Sequence, residues 1–317
     1  MDCSLLRPLA ACILFAFSPS AGAAPLSVLT YNVAGLPDGI SSSDPVVHMP
    51  QISPLLNGYD LVLAQEDFAF HTELAADAAH PHQSASFPND FFNGDGLNRF
   101  SQSAFTGHDR VQWDQCFGLG DFGSDCLTTK GFSFARHEVV PGGFVDVYNW
   151  HADAGGDPGS NAARQDNLRQ LGAYILANSA GNAVIVGGDS NSRYHDTEDI
   201  VPELLDSAGL LDVWVELVRG GDRPGTGSRI DSGCATSLSD PECESIDKIF
   251  YRSSSTVQLT PLSYEVLTAP FIDSTDGGPL SDHEPTAVTF DVQLVPEPGA
   301  AMLLGLAFLA AGCRRRG

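Results

Sequence analysis

The run Asn182-Ala183-Val184-Ile185-Val186-Gly187-Gly188-Asp189-Ser190-Asn191-Ser192-Arg193 decides how the rest of the chain is read. Residues 183–186 are apolar and rich in β-branched side chains. The run is too brief for a helix and suits a strand buried on both faces. Gly187 and Gly188 then release the backbone, and Asp189 and Asn191 stand two apart at the strand's end, where alternation points both side chains the same way. A carboxylate and an amide would project together from the carboxyl end of a core strand, where buried sheets commonly place their chemistry. Asp189 suits a base or a metal ligand, and Asn191 suits a donor to phosphate or a group that orients a nucleophile. Gly, Asp, Ser and Asn are also turn formers, so taken alone the run reads as a strand-ending turn. Its companions elsewhere reverse that reading.

The chain has 317 residues with no repeat and no central linker, which predicts one large domain. It carries 40 acidic and 16 basic residues, a formal charge of −24. Such a surface repels polyanions and lacks the basic stripe by which proteins grip duplex DNA, although a local basic rim remains compatible with it.

Both ends read as targeting segments. Arg7, the apolar residues 9–17 and the small residues Ala21-Gly22-Ala23 have the order of a secretory signal peptide, placed at residues 1–23. At the far end Pro296-Glu297-Pro298 precedes the apolar residues 299–312 and closes on Cys313-Arg314-Arg315-Arg316. The apolar part is shorter than the roughly 20 residues of a free-standing membrane helix, and its arginines favour the cytoplasmic side. Residues 295–317 resemble the PEP-CTERM sorting signal of exported bacterial proteins. The resemblance implies transient inner-membrane association, exosortase processing, and a secreted, cell-surface or extracellular-matrix destination. Cys116, Cys126, Cys234 and Cys243 then remain in the domain, residues 24–294. In an exported chain an even number predicts disulfides, and the local pairs Cys116–Cys126 and Cys234–Cys243 are the favoured ones.

Along that domain, residues 26–32 alternate like a strand that presents Asn32 at its end, and residues 59–65 form a buried strand leading to Glu66. A carboxylate beside an apolar strand needs a partner, most simply a metal ion. Residues 38–50 read as loop, and residues 80–125 read as loops over scattered phenylalanines (Phe87, Phe91, Phe92, Phe100, Phe105, Phe117 and Phe122). Two paired strands follow, and alternation in the second puts Asn149 and His151 on one face. Ser160 caps a helix bearing Leu168, Leu171 and Ile175 at helical spacing, which delivers the chain to the Asp189 strand. Residues 203–208 read as a short helix stopped by Gly209, residues 245–251 as a strand carrying Asp247, and Ser281-Asp282-His283 precedes a last strand from Thr286.

Asn32, Gln65-Glu66, Asn149 with His151, Gly188-Asp189 with Asn191, Ile246-Asp247 and Ser281-Asp282-His283, in that order, resemble the endonuclease/exonuclease/phosphatase superfamily over nearly the whole domain. The resemblance implies an α/β four-layer sandwich, two mixed β-sheets face to face with helices outside. It also implies metal-dependent hydrolysis of phosphate esters by a monomer. In that pattern Glu66 is the metal carboxylate, with Asn32 beside it and Asp282 ligating directly or through water. The ion is Mg²⁺, with Mn²⁺ or Ca²⁺ as alternatives. Asp189 and Asn191 position or deprotonate the attacking water, Asp247 orients His283, and His151 stabilises phosphoryl oxygens or protonates the leaving group. Either Asp189 or His283 is the general base. Asn149, Lys130 and Arg193 are candidate phosphate contacts. Residues 126–132 and 151–155 look closest to secreted sphingomyelinase-like members and their fungal relatives, which suggests a phosphodiesterase for lipid head groups. The chain departs from the bacterial sphingomyelinases in offering only Ala269-Pro270-Phe271-Ile272 where they carry an aromatic hairpin. A secreted nuclease and a non-catalytic surface-binding module are the alternatives.

Overall fold

The computed structural model describes residues 24–85, 94–119, 124–227 and 243–296. Its frame is two β-α-β units. In the first, β1 (Ala24–Asn32) passes through α1 (Pro45–Leu55) to β2 (Leu61–Gln65); in the second, β7 (Gly143–His151) passes through α3 (Pro158–Asn178) to β8 (Ala183–Asp189). Each unit yields a parallel strand pair. Antiparallel strands flank both pairs: β3 (His82–Gln83), β4 (Asn98–Ser101), β11 (Val257–Val266) and β12 (Thr286–Leu294) complete one six-stranded sheet, in the order β11-β12-β1-β2-β4-β3. The other runs β5-β6-β7-β8-β10-β9, with β5 (Phe105–Gln112), β6 (Gly131–Val140), β9 (Leu211–Asp212) and β10 (Asp247–Arg252). Three short helices, α2 (His71–Ala75), α4 (Val201–Ala208) and α5 (Val213–Leu217), and two 3₁₀ turns, Leu56–Gly58 and Asp125–Leu127, complete the described elements.

Strand alternation sorts the side chains into three cores. Val28, Leu63, Val147, Ile185 and Ile249 meet between the sheets. Tyr148, Trp150, Val184 and Val186 face outward onto Leu168, Leu171 and Ile175 of α3 and Leu204 of α4. Leu29, Tyr31 and Val62 face Met49 and Ile52 of α1 and Leu74 of α2. Helix, sheet, sheet and helix are therefore stacked as four layers, the architecture the motifs imply. Each fully buried aliphatic side chain contributes about 1.5–3 kcal/mol, so the central strands carry most of the stability.

Three local expectations differ. Residues 38–50 are not all loop, because α1 begins at Pro45. Asp44 caps it, and Pro45 occupies the first turn, where no N–H donor is needed. Residues 80–125 include β3, β4 and β5, and Phe100 lies in the core. Helix α3 is capped by Asp157, whose carboxylate accepts from the N–H groups of Gly159 and Ser160; Ser160 only supports that cap. Cys116 and Cys126 form the expected disulfide. Residues 1–23, Phe87, Phe91, Phe92, Phe122, Cys234 and residues 297–317 lie outside the described residues. Among the described residues no helix is long and apolar enough to cross a membrane.

Candidate active site

The inner faces of the central strands change character towards one end of the sandwich. Above the apolar core comes a fully buried amide tier. Gln65 Nε2 donates to Asn149 Oδ1 (2.7 Å) and to Leu63 O (2.9 Å), and the Thr30 hydroxyl donates to Gln65 Oε1 (3.3 Å). Asn149 Nδ2 donates across the sheets to Ala64 O (2.9 Å) and Asn98 O (3.0 Å). The amide of Asn149 is thus spent on tying one sheet to the other beneath the site. Gly187 completes the tier: a Cβ there would stand 2.8 Å from Leu63 Cδ1, so any larger residue must displace that side chain or part the sheets.

The next tier is ionisable. Asn32 ends β1, Glu66 follows β2, His151 ends β7, Asp189 ends β8, and Asp247 starts β10 directly opposite Asp189 in the ladder. Asp189 Oδ2 is the meeting point. Asn32 Nδ2 lies 3.1 Å from it, His151 Nε2 3.3 Å and His283 Nε2 3.7 Å. Asn32 Nδ2 also reaches Glu66 Oε1 at 3.0 Å. The other ring nitrogen of His283, Nδ1, lies 2.8 Å from Asp247 Oδ2, which fixes the ring's orientation and tautomer. Ser281 Oγ donates to Asn32 O (2.7 Å) and anchors the segment bearing His283.

Electrostatics divide the two histidines. Burial, then Lys130 and His283, hold the His151 pKa well below its usual value, so this ring is neutral. Burial alone would depress His283 too, but the carboxylates of Asp247 and Asp189 more than offset it and raise that pKa well above 6.5. Burial also raises the pKa of Glu66, against Lys130 and Asn32, and that of Asp189, against His283. Lys130, ion-paired with Asp125, is held charged against its own desolvation by Asp125, Glu66 and Asp189.

Not every candidate residue joins this cluster. Asn191 lies beyond β8 in a left-handed conformation (φ 46°), so strand alternation does not aim it. Its N–H donates instead to Asp189 Oδ1 (2.9 Å), and its amide to Ala152 O (3.1 Å). Asp282 is exposed and accepts from Ser42 Oγ. Arg193 is half-buried and lines an adjoining cavity with Asn191. Two supporting carboxylates had no motif to mark them. Asp125 holds Lys130, and the buried Asp153 accepts from Phe117 N (2.8 Å).

Two carboxylates of the pocket, the half-buried Glu66 and the buried Asp189, are pushed towards protonation. A divalent cation would relieve that crowding, and its preference for oxygen ligands fits the carboxylate of Glu66; Asn32 turns its Nδ2 to the site and accepts from Ala34 N (3.1 Å) with its Oδ1. Among the described residues Asp189, Asp247 and His283 also present atoms within 4.8 Å of one another, close enough to share an ion.

A structure described as an endonuclease/exonuclease/phosphatase from Beutenbergia cavernae superimposes with a TM-score of 0.55 at 16% identity, over 85% of this chain and 72% of that one. The chain has the endonuclease/exonuclease/phosphatase fold. A Staphylococcus aureus beta toxin variant with bound magnesium ions shares that fold (TM-score 0.59, 15% identity, 84% of this chain and 99% of that chain). In sequence, the chain is similar to the sphingomyelinase of Mycobacterium tuberculosis. The two are 38% identical over 272 residues, which cover 83% of this chain and 52% of the relative. The chain thus spans about half the length of that curated relative. Residues 294–316 match the PEP-CTERM protein-sorting motif, which indicates an exported protein.

Proposed function

We propose that the protein is a divalent-metal-dependent phosphodiesterase acting on lipid head-group phosphodiesters, in the manner of a sphingomyelinase. The observation that carries the reading is the convergence of Asn32, His151 and His283 on the single carboxylate oxygen Asp189 Oδ2. Hydrolysis of a phosphate diester needs a base for water, positive charge near the non-bridging oxygens, and a proton for the departing alkoxide. Asp189, with its raised pKa, takes the proton of the attacking water. His283 is cationic and held by Asp247, and it supplies a proton to the departing oxygen as the P–O bond breaks. His151 donates from Nε2 to a phosphoryl oxygen, and the charged Lys130 adds a second positive group beside Glu66. Glu66 would hold Mg²⁺, with Asn32 beside it steering the carboxylate through Nδ2 and Asp282 contributing through water. The ion supplies charge neutralisation for the phosphoryl oxygens.

The relative named a sphingomyelinase supports the lipid substrate, and the beta toxin structure with bound magnesium supports the choice of ion. The formal charge of −24 weighs against a nuclease, which must approach a polyanion. Around the catalytic unit, residues 24–294, the segments 1–23 and 295–317 act as signal peptide and as a transient anchor processed by an exosortase.

One panel tests the reading. The purified protein with Mg²⁺ is offered sphingomyelin vesicles, plasmid DNA and a simple aryl phosphodiester. Release of phosphocholine that stops in excess chelator is the expected result. Full turnover in chelator, or none on any substrate, would overturn it.

A further inference from the structure

Beside the catalytic cluster lies a cavity of about 400 Å³, walled by the loop after β7, the start of α3 and the loop after β8. Its lining includes Asn191, Arg193, Arg164, Gly156, Asp196 and Glu198. Asn191 is shared with the site, since its N–H binds the base Asp189, so a group attached to the reacting phosphate can enter here.

The walls are built, and they are polar. Arg164 is almost wholly buried. It donates to Asp199 Oδ1 (2.9 Å), Asp153 O (3.1 Å), Gly155 O (2.8 Å) and Asn161 Oδ1 (2.6 Å). Four of its five N–H donors are spent, so it acts as a fixed floor. Arg193 binds Asp199 Oδ2 through its backbone N–H (2.8 Å), and no described residue takes up its guanidinium. Glu198 uses its carbonyl for Gln165 Nε2 (2.6 Å), and among the described residues its carboxylate has no partner. No described residue lining the cavity is aromatic.

We propose that this cavity is the subsite for the substrate's polar head group, and that it selects head groups bearing N–H or O–H donors over a quaternary ammonium. The inference rests on the phosphodiesterase reading and deepens it. A trimethylammonium has no hydrogen to donate and is held best by aromatic faces, and no described lining residue offers one. A primary ammonium brings three donors for the carboxylate of Glu198, and the hydroxyls of a glycerol head group can donate to that carboxylate and accept from the guanidinium of Arg193, two groups unpartnered among the described residues. A site built for such bonds discriminates against an analogue that cannot make them. The volume falls within the range of small-molecule pockets, and its polarity excludes an acyl chain.

The test compares kcat/KM for ceramide phosphoethanolamine, ceramide phosphoglycerol and sphingomyelin in matched vesicles. Methyl p-nitrophenyl phosphate serves as a probe without a head group. The donor-bearing head groups should exceed choline by about 10-fold or more. Gly156 has open space where a Cβ would stand, so Gly156→Phe can be accommodated and fills the cavity. It should lower kcat/KM on the donor-bearing lipids by a larger factor than on the aryl diester and compress the head-group ratio towards one; Glu198→Gln should compress the ethanolamine ratio. Turnover of all substrates with choline equal or preferred overturns the subsite alone, as does an unchanged ratio in both variants. No turnover even of the aryl diester overturns the phosphodiesterase reading, and the subsite with it.

Discussion

Asp247→Asn changes one charge and almost no volume, at the carboxylate whose Oδ2 lies 2.8 Å from His283 Nδ1. In the wild type this carboxylate, with Asp189, keeps the His283 pKa well above 6.5 despite burial. A hydrogen bond to a charged group contributes about 1.5–3 kcal/mol, and one pKa unit corresponds to about 1.36 kcal/mol. Removing it should lower the His283 pKa by about one to two units. An amide oxygen can still accept from the ring but carries no charge to stabilise the imidazolium, and an amide N–H donates only to a neutral ring, so both effects act downwards. Histidine ring resonances followed by NMR across pH, in metal-free protein, read the shift directly once His283 is assigned by its loss in His283→Gln. The sign carries into stability. A raised histidine pKa contributes stability that is fully present below the unfolded value near 6.5, and that is lost as pH rises through the folded value. The variant should therefore lose most stability, relative to wild type, near pH 5. A His283 titration unmoved by Asp247→Asn would refute the assignment of Asp247 as the residue that sets its charge.

Three further changes probe separate parts of the site. Glu66→Gln removes a charge that a divalent ion would neutralise, and should weaken Mg²⁺ binding by about 100-fold or more by calorimetry, with an unchanged circular dichroism spectrum. Gly187→Ala drives a methyl group to 2.8 Å from Leu63 Cδ1 and should cost about 1–3 kcal/mol in urea unfolding; an unchanged midpoint would mean the sheets part freely. Burial first, then Asp125, raises the Asp153 pKa from 3.8 to about 7. Its ionised form therefore penalises the fold increasingly as pH rises from 4 to 7, by at most about 4 kcal/mol. Asp153→Asn keeps an acceptor for Phe117 N and should gain on wild type across that window; parallel pH–stability curves would sink the idea.

Much of the frame was legible because its strands obey simple alternation. Residues 183–186 are apolar on both faces, the segment ending at His151 alternates to put Asn149 and His151 together, and the two are the central parallel pair β8 and β7. What stayed hidden had physical reasons. Helix α1 contains Pro50 and Pro54, which propensity counts against a helix, yet Met49 and Ile52 pack it onto β1 and β2. Strand β4 is Asn-Arg-Phe-Ser, polar in sequence and wholly buried in fact. Arg99 is accommodated by Ser133 Oγ (2.7 Å) and Val147 O (3.3 Å) from the opposite sheet. No single-chain pattern announces partners that lie in another sheet. The same limit explains Asn149, whose position on the inner face was readable while its function as a cross-sheet tie was not. The charged tier was easier, because each member sits at or just beyond a strand end.

The placement of that tier has a cost. Ala34, Glu66 and Asn191 all adopt left-handed conformations around it, at about 1–3 kcal/mol each, and two carboxylates, Glu66 and Asp189, are held where burial favours their protonated forms. Such strain persists only where neighbouring contacts over-determine it. Glu66 is fixed by bonds to its carbonyl from Gly35 N (3.0 Å) and Phe68 N (2.9 Å), and Asn191 by Asp189 and Ala152. A fold that sought stability alone would place ordinary turns at these strand ends. The duplicated β-α-β frame supplies the reason they differ. It points the carboxyl ends of two parallel pairs at one another, so that amides, carboxylates and imidazoles too unfavourable to bury singly are buried together, each satisfying part of the next.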